Sequence, residues 1–131
     1  MFLRYNYPAL LWALFIFILC TLPGKDIPHL KFPDWLKPDK VVHFVLWGAL
    51  CFLLVRGFSQ QHSFVYLSEH SKMYAVIISC FYGAVIELLQ TYIFTYRSGE
   101  VYDAIADAIG AFIGLWFYGY WMKRKFIHAG K

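Results

Sequence analysis

The sequence predicts an all-α fold, specifically an integral membrane four-helix bundle. Sixty per cent of the 131 residues are hydrophobic, 21% are aromatic and only 15% are charged. Soluble domains are roughly 45–50% apolar, and a chain of this size has too little interior to bury such an excess in water. Four apolar runs supply spans at about residues 8–22, 41–58, 73–94 and 101–122. We therefore predict one transmembrane domain over residues 1–131.

The first span follows Arg4 and begins near Pro8, as a signal peptide would. It lacks a small-x-small cleavage site, so we predict a retained helix. The first two apolar runs are shorter than the ~20 residues that cross a bilayer, and interfacial aromatic residues extend them. Prolines recur in residues 23–40 and oppose a continuous helix there. We predict a Pro-rich extracytoplasmic loop between helices 1 and 2.

The second and third spans are joined by the polar loop 56–72, and the third and fourth by the short connection 95–100. The short connection predicts an antiparallel hairpin. Lys and Arg are more frequent on the side that carries the basic tail, Lys123–Lys125, than on the side of the Pro-rich loop. By the positive-inside rule, both termini are predicted to be cytoplasmic, in a multi-pass protein of the cell membrane.

The predicted partners are membrane lipids and a lipid-linked or other cell-envelope ligand. A basic tail beside a membrane span is typical of contact with anionic lipid, so we predict no nucleic-acid partner. Cys20, Cys51 and Cys80 each lie in an apolar run and form no CxxC motif, which predicts free buried thiols. No motif indicates a metal or a cofactor, and we predict neither. The sequence leaves the oligomeric state open.

Polar residues that lipid tolerates poorly recur near one membrane face. Because successive helices alternate in direction, seven of them fall at the extracytoplasmic end: Lys40, His43, Glu87, Gln90, Arg97, Asp103 and Asp107. Helical spacing aligns Gly83 with Glu87 and Gln90, and aligns both aspartates with Gly110 and Gly114. The last two glycines form a GxxxG pair, which lets another helix approach closely. We predict an inward-facing polar cluster, with these three glycines packing the helices.

These residues also carry a resemblance to the VanZ-like family of small bacterial membrane proteins. The first motif is Asp39-Lys40-x-x-His43-Phe44, before an apolar helix. The second is Glu87-x-x-Gln90, followed by Arg97, Asp103, a polar residue at 107, Gly110 and Gly114. The resemblance implies a multi-span protein of the cytoplasmic membrane. It also implies a link to glycopeptide resistance, since the family's namesake is associated with resistance to teicoplanin.

The chain departs from the family at Asp107, where asparagine is usual. An ionised aspartate only accepts hydrogen bonds, whereas an amide both donates and accepts. Asp107 is therefore expected either to be protonated beside Asp103 or to pair with Lys40 or Arg97.

Three functions compete for the polar cluster. In the first, Lys40, His43 and Arg97 hold an anionic head group, the acids contact hydroxyls or amines, and Trp35 and Trp47 pack on a lipid chain or sugar ring. In the second, a small intramembrane enzyme uses His43 as general base with Glu87 or Asp103 as its partner, and Arg97 clamps an anion. A metal-dependent form of this enzyme would use His43 with Glu87, Asp103 and Asp107, although no zinc motif such as HExxH supports it. In the third, Glu87, Arg97 and Asp103 form an ion network that only holds the hairpin.

Overall fold

The computed structural model describes residues 2–22, 38–93 and 101–129, and the regular structure within those ranges is entirely helical. The helices are α1 (Phe2–Thr21), α2 (Pro38–Ser59), α3 (Val65–Glu69), α4 (Ser71–Tyr92) and α5 (Val101–Ala129). All except α3 are long and apolar enough to cross a membrane. The predicted all-α architecture with four membrane spans is confirmed. Residues 23–37 of the predicted Pro-rich loop and the whole 95–100 connection, including Arg97, lie outside the described residues, whereas Pro38–Lys40 form the first turn of α2.

Helices α1 and α5 extend furthest beyond the predicted spans. Helix α1 begins at Phe2 and runs through Pro8, although proline lacks the N–H that would bond to the carbonyl of Arg4. Helix α5 continues through the basic tail to Ala129, because Lys and Arg favour helices. Two cation–π contacts at i,i+4 spacing support this extension: Arg124 lies 5.7 Å from the Tyr120 ring centre, and Lys125 lies 5.5 Å from that of Trp121.

The loop predicted at residues 56–72 is more structured than its polarity suggests. It contains the last turn of α2, the one-and-a-half-turn helix α3 and the buried side chain of Gln61. The Gln61 amide donates to the Gly57 carbonyl over 3.0 Å, and Ser68 Oγ donates to the Ser59 carbonyl over 3.0 Å. These bonds fold the connection back onto the end of α2.

Large apolar side chains cover the outside of the bundle. On α1 they include Leu10, Leu11, Leu14 and Ile18, all exposed, and Phe81 on α4 and Trp116 on α5 are 70% and 69% exposed. A soluble protein rarely presents so much contiguous apolar surface. The outer faces of these helices therefore suit contact with lipid, as a multi-pass membrane protein requires.

Helix α2 is the centre of the bundle and packs against α1, α4 and α5. Its closest neighbour is α5, because glycines line their contact. A Cβ atom added to Gly110 would overlap the carbonyl of Phe44, and one added to Gly114 would overlap the carbonyl of Gly48. The predicted GxxxG pair on α5 thus packs on the backbone of α2, and Gly48 provides the matching gap.

Helix α1 is attached to the other helices by side-chain hydrogen bonds that end on backbone carbonyls. Trp12 Nε1 donates to the Leu46 carbonyl over 3.0 Å, and Tyr82 Oη donates to the Ala13 carbonyl over 2.7 Å. At the far end of α1, Gln90 Nε2 donates to the Cys20 carbonyl over 3.3 Å. Since lipid offers α1 no comparable partners, these bonds fix its position and rotation.

Candidate functional site

The polar side chains of three helices meet where α2 and α5 begin and α4 ends. Lys40 and His43 lie in the first turns of α2, Asp103 and Asp107 in the first two turns of α5, and Glu87 in the penultimate turn of α4. The alternating direction of the helices brings these ends to one face of the bundle. We call these five residues the polar cluster.

His43 occupies the centre of the polar cluster and is only 2% exposed. Its Nδ1 lies 3.0 Å from Asp107 Oδ1 and 3.9 Å from Glu87 Oε1. Ionised carboxylates only accept hydrogen bonds, so this geometry favours a proton on Nδ1 that is donated to Asp107. In the neutral imidazole, Nε2 would then be the basic nitrogen.

The position of the His43 ring is also fixed by a stacking contact on one of its faces. It stacks on the indole of Trp47 with ring centroids 5.4 Å apart and an interplanar angle of 1°. Trp47 is itself fully buried and donates from Nε1 to the Ser79 carbonyl over 3.0 Å. The expectation that Trp47 packs on a ligand is wrong, because its surface is already covered by His43 and the helices. Trp35 lies outside the described residues.

Gly83 makes room for this arrangement on α4. A Cβ atom at this position would lie 2.9 Å from both Asp107 Oδ2 and Trp47 Nε1. Any larger residue would displace one of these two side chains from its partner. Gly83, Gly110 and Gly114 therefore act in two different ways: the first gives space to polar side chains, and the other two bring α5 against α2.

Lys40 forms the rim of the polar cluster. Its Nζ donates to Asp103 Oδ1 over 2.9 Å and lies 5.4 Å from the ring centre of Tyr102. The Lys40 side chain is 32% exposed, whereas that of Asp103 is 5% exposed. Lys40 thus bonds to Asp103, while Asp107 bonds to His43. An asparagine Oδ1 at position 107 would accept the same bond, so this hydrogen bond does not by itself require an aspartate.

Two of the seven predicted residues are not part of the polar cluster as the structure describes it. Gln90 is buried on the same face of α4 as Glu87, but its amide donates to the Cys20 carbonyl of α1. Arg97 lies outside the described residues. Sequence reasoning missed the supporting roles of Trp47, Gly48 and Ser79. The i,i+4 spacing of His43 and Trp47 is the signal that relates the tryptophan to the site.

Three buried side chains of the polar cluster also have the spacing of cation ligands. His43, Glu87 and Asp103 each offer one ligand atom, and these atoms lie within 4.8 Å of one another. The Lys40 ammonium bonded to Asp103 already brings a positive charge to this group and would compete with a metal ion. The sequence-based prediction of no metal stays a prediction.

The polar cluster combines carboxylate acceptors with one rim cation and one imidazole. Among the described residues, the three carboxyl side chains of Glu87, Asp103 and Asp107 lie around one amine and one imidazole. Such a set suits hydroxyl or amino donors of a ligand near the carboxylates and an anionic group near Lys40. His43, paired with Asp107, also has the orientation that a general base requires.

Comparison with known proteins supports one assignment. No curated protein and no solved structure gives a significant match to the chain. The family model described as VanZ/LLP1 matches residues 6–123, which include α2, α3, α4, the polar cluster and most of α1 and α5. The match thus covers nearly the whole chain, and its helices have the length and composition of membrane spans. The chain belongs to the VanZ/LLP1 family and is a multi-pass membrane protein.

Proposed function

We propose that this VanZ-like protein binds the polar end of a cell-envelope component at the polar cluster, on the extracytoplasmic side of the membrane. The observation that carries the proposal is the buried imidazole of His43, with carboxylate oxygens of Asp107 and Glu87 at 3.0 and 3.9 Å from its Nδ1. Ionisable groups at membrane depth are costly, and replacing a buried ion pair with apolar residues is often neutral or stabilising. Packing alone therefore does not explain why ionisable side chains occupy these buried positions.

The chemistry of the polar cluster indicates the class of ligand. Lys40 at the rim suits a phosphate or carboxylate, and Glu87 and Asp103 deeper in suit hydroxyl or amino donors. A lipid-linked phosphate that carries a sugar has both features, as does a glycopeptide with a free carboxylate. We extend the proposal to glycopeptide resistance on this chemistry and on family membership. Teicoplanin susceptibility of a deletion strain, with and without the restored gene, tests that extension.

Glu87→Gln tests ligand binding, because it removes the charge and keeps the size of the side chain. We expect mass spectrometry of co-purified lipids and glycolipids to show a species bound to the wild type and reduced at least about tenfold in Glu87→Gln. Loss of a charge-assisted hydrogen bond of 1.5–3 kcal/mol has roughly this effect. Glu69→Gln is the matched control, since Glu69 is exposed on α3 at the other end of the bundle. Identical co-purified species in all three proteins would contradict the proposal.

A second candidate function is a small intramembrane enzyme that acts on the same component. The hydrogen bond between His43 Nδ1 and Asp107 favours it, because this bond would orient Nε2 as a general base. His43→Asn separates the two functions, since the amide places a donor near the position of Nδ1 and removes Nε2. A species that accumulates on His43→Asn and appears in converted form with the wild type indicates an enzyme. The same unconverted species on both proteins indicates binding.

The proposed orientation places both termini in the cytoplasm and the polar cluster outside. It is supported by the basic end of α5, where Lys123, Arg124 and Lys125 are all exposed. We expect a reporter that is active only in the cytoplasm to give signal when fused after residue 131. The same reporter inserted near residue 31 is expected to stay silent. Cytoplasmic signal from position 31 would reverse the orientation.

A further inference from the structure

A second polar region lies at the opposite end of the bundle, around the last turn of α2. One cavity of about 370 Å³ lies between α2 and α5, and its lining includes Arg56, Gln60 and Lys125. Another of about 210 Å³ lies between α2 and α1, and its lining includes Arg4, Arg56 and Gln60. The two cavities share Arg56 and Gln60, so they are adjacent.

Each of these cavities offers two positive charges. Arg56 contributes to both, Lys125 completes the first and Arg4 completes the second. The residues that line the two cavities include no carboxylate. Within residues 2–22, 38–93 and 101–129, no salt bridge involves Arg4, Arg56 or Lys125. The region therefore has the charge of an anion site whose cations are not already neutralised by the described part of the protein.

The larger cavity has a fixed wall. Ser59 Oγ lies 2.8 Å from Tyr118 Oη and donates to the Arg56 carbonyl over 3.1 Å. This chain of hydrogen bonds ties α5 to the last turn of α2 beneath Arg56. Since the Ser59 proton is used on the carbonyl, Tyr118 donates to Ser59. The donors that remain for an anion in this cavity are the guanidinium and ammonium groups, the Gln60 amide and the Trp121 indole N–H.

We propose that the two cavities together bind the headgroup of a phospholipid that carries two phosphates, one phosphate in each cavity with Arg56 between them. Arginine's planar fork suits bidentate contact with phosphate oxygens. The linings also contain apolar and interfacial residues, among them Leu53, Trp121 and Met122, which suit the glycerol and the first acyl methylenes. Basic pockets between transmembrane helices are a known form of lipid headgroup site. The proposal does not depend on the function of the polar cluster.

Native mass spectrometry of the purified full chain, with lipids added in mild detergent, tests this site. The probes are cardiolipin, which has two phosphates, phosphatidylglycerol, which has one, and zwitterionic phosphatidylcholine. We expect cardiolipin to bind most tightly and Arg56→Gln to weaken its binding about tenfold. Arg124→Gln is the matched control, because Arg124 lies at the same end of the bundle but lines neither cavity. It is expected to weaken binding less than about twofold.

Equal binding of cardiolipin and phosphatidylglycerol would overturn the two-phosphate headgroup. If inorganic pyrophosphate competes for the site as effectively as cardiolipin does, the site binds free phosphates. That result would overturn the proposal of a lipid headgroup. Equal losses in Arg56→Gln and Arg124→Gln would show general charge attraction only. If Arg56→Gln has a lowered melting temperature without lipid, the double variant Arg4→Gln, Lys125→Gln replaces it, because both side chains are exposed. Unchanged cardiolipin binding in the double variant would overturn the site.

Discussion

Gly110→Leu is expected to destabilise the bundle strongly, and much more than Gly119→Leu on the same helix. A Cβ atom there overlaps the Phe44 carbonyl, which is backbone and cannot rotate away. Overpacking costs typically about 1–3 kcal/mol, and a backbone obstacle places this variant at or above the upper end of that range. Thermal unfolding in detergent, followed by circular dichroism, measures the loss.

Gly119→Leu is the matched control for this substitution. Gly119 lies on the same helix, and a Cβ atom added there meets nothing within 4 Å. It is therefore expected to leave the melting temperature nearly unchanged, or to raise it slightly, because leucine favours helix more than glycine does. Equal losses of stability in the two variants would rule out the close crossing of α2 and α5 at Phe44.

His43→Ala is expected to destabilise the bundle strongly and to remove ligand binding at the polar cluster. The substitution leaves the buried carboxylate of Asp107 without its donor at 3.0 Å. An interhelical hydrogen bond in a membrane protein averages only about 0.6 kcal/mol. Removing the donor of a hydrogen bond to a buried charged acceptor costs more, about 1.5–3 kcal/mol, because the desolvated acceptor loses a bond that lipid cannot replace. The second effect is larger and sets the expectation.

His43→Asn and His128→Ala are the comparisons that identify the cause. Asparagine keeps a donor near the position of Nδ1, so His43→Asn is expected to recover most of the lost stability. His128 is exposed near the end of α5, and its removal is expected to change little. Stability of His43→Ala close to that of His128→Ala would show that the carboxylates of the polar cluster do not depend on the imidazole.

The sequence predicts the fold well because each membrane span is a long segment of apolar composition. The 60% hydrophobic composition and the four apolar runs are enough to predict the helices α1, α2, α4 and α5. Helix ends are less well predicted. The residues before Pro8 and the basic tail of α5 lack a continuous apolar pattern, yet both are helical in the structure. Helix α3 is too short for any periodicity to identify it.

The candidate site is predicted in part. Helical spacing alone places Glu87, Asp103 and Asp107 on inward faces, and alternating direction places them at one end. The pairing between helices is not encoded in spacing, so which aspartate bonds to Lys40 and which to His43 required the structure. The contact of Trp47 also required the structure. In the sequence it is one aromatic residue among many, whereas in the structure the His43 ring stacks on its indole.

The α2–α5 crossing has a consequence for how this protein is made. His43 and Asp107 are 64 residues apart in the chain. At a translation speed of about 5–20 residues per second, roughly 3–13 s pass after His43 is synthesised before Asp107 exists. During that interval α2 must wait at the insertion machinery or in the bilayer with Lys40 and His43, and Glu87 of α4 joins them only for the last part, before Asp107 is made. Nascent chains of this protein therefore hold polar side chains at membrane depth without their aspartate partners until the last helix arrives.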